Sequence, residues 1–189
     1  HQEGDSRFSS CCVNLGARLV RNDLRVGLDA EGAACRLDGI TIVSGRQHVD
    51  VQTTIDHATP HGRSEQLYKG ILDDHATTAF SGMVLVRPGA QKTDAKQANH
   101  NLLLSRDAVA DSTGNLYFSG YGWATGRELY RFDGSTTSLV QDSNPGNTFL
   151  SPTMDPGPND LFVWNDHVYY SMDDGTNGRE LWCFDPTPP

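Results

Sequence analysis

Positive charge is scarce in this chain: 15 Lys and Arg stand against 24 Asp and Glu in 189 residues, for a net charge of −9. That shortage argues against phosphate-driven nucleic-acid binding, which needs a basic face. No apolar run reaches the roughly eighteen residues of a membrane-spanning helix. The opening residues, HQEGDSRFSS, have neither the basic start nor the apolar stretch of a signal peptide. A soluble chain is therefore expected, with neither nucleic acid nor membrane among its partners. Cysteine is sparse too. Cys11, Cys12, Cys35 and Cys183 show no CxxC spacing and fall short of a disulfide framework. On a strand the neighbours Cys11 and Cys12 point to opposite faces, which makes them a poor ligand pair, and Cys35 reads as a small core hydrophobe. No phosphate-binding glycine loop and no GxSxG nucleophile elbow occurs.

What is present divides near residue 112. Through Ser112 there are 12 basic and 14 acidic residues, giving −2, and from Thr113 onward 3 and 10, giving −7. The front part is a series of short apolar alternations punctuated by glycine. NDLRVGLD sets Leu24, Val26 and Leu28 on one face, ITIV follows with Ile40 and Ile42, and HVDVQTTID alternates Val49, Val51, Thr53 and Ile55 against His48, Asp50, Gln52, Thr54 and Asp56. The period is two, so these are strands. Glycines such as Gly16, Gly39, Gly45 and Gly82 are expected mostly between or at the edges of the strands, where the chain turns. Without crossover helices, short strands with tight corners suit a β-helix, with a β-sandwich as the alternative.

The tail repeats itself. NLYFSGYGWATGRELYRFDG from Asn115 and HVYYSMDDGTNGRELWCFDP from His167 align at a constant offset of 52 residues. Each copy reads as an aromatic strand, a Gly-rich turn and a second strand carrying RELY or RELW, and a proline-rich stretch separates them. The copies resemble the ELWxxDG-type repeats of large, often extracellular, propeller-like or adhesion-like proteins, although Tyr130 stands where tryptophan is usual and Pro186 where glycine is usual. Two units are too few to close a propeller.

Residues 13–108 resemble the core domain of the SufB/SufD family, and the SufD branch more closely. The resemblance is carried by LGARLVRNDLRVGLDAEGAACRLDGI, GRQHVDVQTTIDHATPHGRSEQLYKGILDD and AFSGMVLVRPGAQKTDAKQANHNLLLS in that order. It implies a right-handed parallel β-helix over residues 1–112; with the short β-repeat tail, propeller-like or meander, over 113–189, the expected fold is all-β. It also implies a part in iron–sulfur cluster assembly, in the cytoplasm or in a plastid. There a SufB-type paralogue pairs with the chain and a SufC-type ABC ATPase carries the pair. The family's CxHG-type segment and helical ATPase-docking region have no counterpart after NLLLS, so ATPase docking by this chain is not implied. An iron–sulfur cluster is expected only in the assembled complex, with none on the isolated chain.

The stretch GRQHVDVQTTIDHATPH concentrates the candidate chemistry. Imidazole and carboxylate suit zinc or iron, which makes His48, Asp50, His57 and His61 candidate metal contacts, with His57 and His61 placed beyond the alternation, in a corner. The simpler reading is structural: polar side chains hydrogen-bonding between successive coils, with Gln47, Thr53, Asn99 and Asn101 as ladder positions. Arg21 is expected to pair with Asp23. Three other readings stay open: a polysaccharide-acting β-helix enzyme using His48, Asp50 and Asp56, a surface or secreted interaction protein defined by its tail, and an inactive fusion relic. The leading expectation is a non-enzymatic scaffold.

Overall fold

The computed structural model describes residues 3–122, 125–133, 135–142, 157–164, 167–174 and 176–185. Most of the proline-rich stretch, residues 143–156, lies outside them, as do Gly175 and Pro186. Among the described residues the fold is all-β. The strands β1 (Arg7–Asn14), β2 (Leu19–Leu28), β3 (Ala34–Val43), β4 (His48–His57), β5 (Arg63–Leu72), β6 (Thr77–Val86), β7 (Asp94–Leu103) and β8 (Val109–Gly122) alternate between two sheets. One sheet runs β1-β3-β5-β7 and the other contains β8-β6-β4-β2, all pairs parallel. This is a parallel β-helix of four turns.

Register explains why no short repeat is visible in the front part. Arg7 pairs with Ala34, Ala34 with Arg63 and Arg63 with Asp94, steps of 27, 29 and 31 residues (34 − 7, 63 − 34, 94 − 63). Side chains alternate in and out along each strand, and β4 shows it through all ten residues, half-buried and buried in turn. Leu28, Leu37, Ile55 and Leu72 are fully buried between the sheets, each worth roughly 1.5–3 kcal/mol of transfer free energy.

Two expectations are corrected here. Ile40 is half-buried and Ile42 is 43% exposed, while Thr41 and Val43 are buried, so the inward alternates of β3 are Cys35, Leu37, Gly39, Thr41 and Val43. A four-residue apolar run cannot report its own phase; the longer alternation upstream sets it. Gly39 and Gly82 lie inside β3 and β6 and not at turns. The Tyr68 ring occupies the place a Cβ at Gly39 would take, and the Gln97 amide does the same at Gly82. The neighbour admitted at Gly39 comes from the adjacent strand of the same sheet, and that at Gly82 from the opposite side of the helix interior.

β8 continues beyond the parallel ladder. On one side it pairs with β6 from Val109 to Phe118, and on the other it turns antiparallel onto β9 (Gly126–Phe132), which is followed by β10 (Thr137–Gln141). A separate antiparallel sheet holds β11 (Asn159–Trp164), β12 (His167–Asp173) and β13 (Arg179–Phe184). The sequence repeat is one hairpin built twice. Leu116 pairs with Phe132 as Val168 pairs with Phe184, each 52 residues on (168 − 116, 184 − 132), and Gly126 and Gly178 hold φ of 74° and 79° at the same place in the turn.

The separate sheet lies on the outside of the helix. Met83, Leu85, Tyr117 and Leu129 from β6, β8 and β9 form one cluster with Leu161, Val168, Tyr170 and Met172. β6 is therefore covered on both faces at its end, which accounts for the unbroken apolar run Met83–Val86 in a parallel sheet.

Candidate functional site

The outward row of β4 is partnered across neighbouring turns. His48 Nδ1 and Thr77 Oγ1, opposite each other in the register, are 2.6 Å apart. Asp50 lies 3.7 Å from Arg21, its register partner on β2, and Arg21 also donates to Gln52 Oε1 at 3.1 Å. Asp56 accepts from Arg87 Nη2 at 2.6 Å and Nε at 3.0 Å; hydrogen bonding to Asp56 raises the Arg87 pKa. Asp23 pairs with Arg25 at 3.3 Å and not with Arg21, whose guanidinium is engaged by Asp50 and Gln52 of the neighbouring turn.

The four candidate ligands occupy three surfaces. His48 and Asp50 face outward from β4. His57 does not lie in a corner: it ends β4 as the last inward residue, with no exposed surface. Its Nε2 is 2.9 Å from Ser64 Oγ, and its Nδ1, packed against Gly62, has no hydrogen-bond partner. Burial lowers its pKa to about 4, so the ring is neutral at physiological pH. The alternation Val49, Val51, Thr53, Ile55 runs one position further than the apolar residues indicate. His61 is in the turn after it, at φ 60°, with Nε2 3.8 Å from Glu31. Among the described residues no group of three or more His, Cys, Asp or Glu side chains is arranged to hold a metal ion.

The remaining polar positions also separate. Gln47 sits in a turn and its Oε1 accepts from the Ser44 N–H at 2.9 Å. Thr53 is buried in the interior with its hydroxyl unpartnered. Asn99 and Asn101 reach across the interior from β7, each donating through Nδ2 to Ser112 Oγ of β8, at 2.6 and 3.3 Å. Cys35 is buried, and burial pushes its thiol up to about 11, which leaves it protonated.

At this last turn the helix is open. A cleft of about 300 Å³ lies between β7 and the sheet of β8 and β9, with Phe80, Val84, Leu116 and Phe132 on one side and Gln97 and Asn99 on the other. β7 is the edge of its sheet, whereas β8 is followed by β9 and β10. Asp94 N–H and Leu104 N–H bond back to Gly62 and Leu72. By the alternation of a parallel ladder, the intervening Ala95, Gln97, Asn99 and Asn101 turn their main-chain groups toward the side on which no strand pairs with β7 among the described residues. Gln97, Ser112 and Phe132 were missed in the sequence. A usable signal was the inward row Ala95, Gln97, Asn99, Asn101, which is small or polar at each step.

The two parallel sheets, with β7 at the edge of one beside an open cleft, define a parallel β-helix protein. The comparisons narrow this: the SufBD core domain of the SUF system for FeS cluster assembly matches residues 1–118, and the chain belongs to that family. It is 43% identical over 107 residues to an iron–sulfur cluster assembly SufBD family protein of Synechocystis, covering 57% of this chain and 24% of that protein. It is 34% identical over 137 residues to a SufBD family protein of Mycobacterium leprae, covering 65% and 35%. With the iron–sulfur cluster assembly protein SufD of Escherichia coli it shares 28% over 102 residues, covering 54% and 24%. The chain thus spans about a quarter to a third of the length of these relatives. No solved structure matches.

Proposed function

We propose that this chain is a non-enzymatic component of an iron–sulfur cluster assembly scaffold, pairing with a SufB-type β-helix protein along the free edge of β7. The observation that carries it is the geometry of the last turn, where unpaired main-chain groups of β7 border an apolar cleft in a chain of this family. An added strand satisfies those groups and buries Leu102 and Leu103, now 56% and 45% exposed. In this reading residues 1–112 are the scaffold part, and 113–189 are an ELWxxDG-like segment, supported by the equal register of the two hairpins. The SufB-type partner carries the contact with the SufC-type ABC ATPase. The cluster is cargo of the assembled complex, and the isolated chain holds none, in keeping with the separation of His48, Asp50, His57 and His61. The setting is a prokaryotic cytoplasm or a plastid; a relative in Arabidopsis is named as chloroplastic.

Anaerobic co-purification of the chain with a SufB-type protein and its ATPase tests this. Capture is expected for the native chain and is expected to be lost in Ala95→Pro, which removes an edge donor from a position where an edge strand tolerates proline. Capture that survives Ala95→Pro overturns the pairing mode, and no capture by the native chain overturns the scaffold reading. Stoichiometric iron and sulfide on the isolated chain after reconstitution would exclude the cargo assignment.

A further inference from the structure

The two hairpins of the repeat turn opposite faces to their common interface. In the first, Tyr117 and Leu129 are fully buried against the separate sheet. The second meets them with its other face, Val168, Tyr170 and Met172, and the Phe184 ring lies 5.8 Å from that of Tyr117. The face of the second hairpin equivalent to Tyr117 and Leu129 carries Tyr169 and Leu181. It points outward: Leu181 is 70% exposed, Phe162 of β11 beside it 39%, and Cys183 is exposed.

Four of the six paired residues of that outward face are kept nonetheless, while Tyr121 and Arg131 become Asp173 and Cys183. Along the register, Tyr117, Ser119, Leu129 and Arg127 recur as Tyr169, Ser171, Leu181 and Arg179, four identities at the 52-residue offset. The opposite face keeps only two of its six, Glu128 as Glu180 and Phe132 as Phe184, with Leu116, Phe118, Gly120 and Tyr130 becoming Val168, Tyr170, Met172 and Trp182. Tyr169 and Leu181, kept in a face whose twins Tyr117 and Leu129 are buried, give its centre the composition of an interface and not of a solvated surface. The packing direction is also fixed. The first hairpin turns Leu116 and Phe132 toward the cleft of the β-helix and Tyr117 and Leu129 toward the second hairpin, so the contacts run head to tail and present the same face again at the outer end.

We infer that the outer face of the second hairpin, centred on Phe162, Tyr169 and Leu181, is a docking face for a further β-hairpin of the same repeat, which covers it with the equivalent of Val168, Tyr170 and Met172. The occupant follows from continuity with the interface already formed: the face is a second copy of one whose cover is seen.

The test extends the full chain after Asp185 with a further copy of residues 134–185, in which the residue equivalent to Cys183 is serine. Native-state alkylation of Cys183 is followed by peptide mass spectrometry against exposed Cys11. The extended chain is expected to slow Cys183 at least tenfold relative to Cys11, and Leu181→Asp in the extended chain to restore its rate. Hydrogen exchange on the added hairpin reports whether it has folded. Protected amides there with Cys183 still fast would overturn the assignment, and so would an added hairpin that stays unprotected, since the face then recruits nothing. Slow, concentration-dependent labelling in the native chain would instead place a second copy of this chain on the face and overturn the repeat as its occupant.

Discussion

The β-helix and the antiparallel sheet laid against it fix their register by different means. In the helix, charge does it: Arg21 with Asp50, Arg36 with Glu65 and Arg63 with Asp94 are ion pairs between residues directly opposite in adjacent turns. A slip of one residue breaks such pairs and moves every inward side chain to the solvent face. In the two hairpins the turn sets the register, through glycines held at positive φ in the same position of each copy. Long-range pairing requires labels along the whole strand, whereas a hairpin needs only its corner.

The largest effect expected from breaking this arrangement is at the seam between the two regions. Tyr117→Ala, which empties a fully buried site between them, is expected to lower stability by about 3–5 kcal/mol. Hydrogen exchange is expected to show loosening in both β8 and β12; loosening of one alone would mean that the regions unfold independently.

Acid is expected to act on the helix. Folded His57 takes up a proton only near pH 4, whereas the unfolded chain takes it up near the ordinary 6.5. The unfolded state therefore binds more protons in that window. The contribution of His57 is complete above about pH 6.5 and falls as pH drops to about 4. The loss amounts to about 3 kcal/mol. Denaturant titrations of the native chain and of His57→Gln across this window are expected to differ by that pH-dependent amount, and parallel curves would contradict it.

A smaller change is expected at Arg87→Ala, which leaves Asp56 without its two short hydrogen bonds. With the Arg87 side chain 37% exposed, solvent screening holds the loss to about 1–2 kcal/mol, read from the urea midpoint. Smallest is Leu181→Ala, within about 0.5 kcal/mol because the side chain is already exposed, while its twin Leu129→Ala is expected to cost about 2–5 kcal/mol. Equal losses at the two positions would mean that the outer face is covered in the native chain.

The sequence showed the strand period of the front part and the twofold repeat of the tail, since alternation and self-similarity are local and the colinear family stretches are long. The phase of ITIV was hidden because four apolar residues offer both faces equally. His57 was read as a corner residue because a histidine after an apolar alternation looks like its end, and only the facing strand, with Ser64, shows that it points inward. The open cleft was invisible for a further reason: Gln97, Asn99 and Ser112 are ordinary polar residues until register brings β7 opposite β8.

The double pairing of β8 has a consequence for the order of folding. Its partners in β9 lie 4 to 16 residues away (126 − 122, 132 − 116), whereas its partners in β6 lie 32 away (109 − 77). Short loops close at less entropic cost and faster than long ones. The hairpin can thus form while the chain before it is still searching, and β8 then offers a finished edge to β6, as β6 does to β4. On loop-closure cost alone, the parallel sheet is expected to assemble backwards along the sequence, from its last rung toward its first.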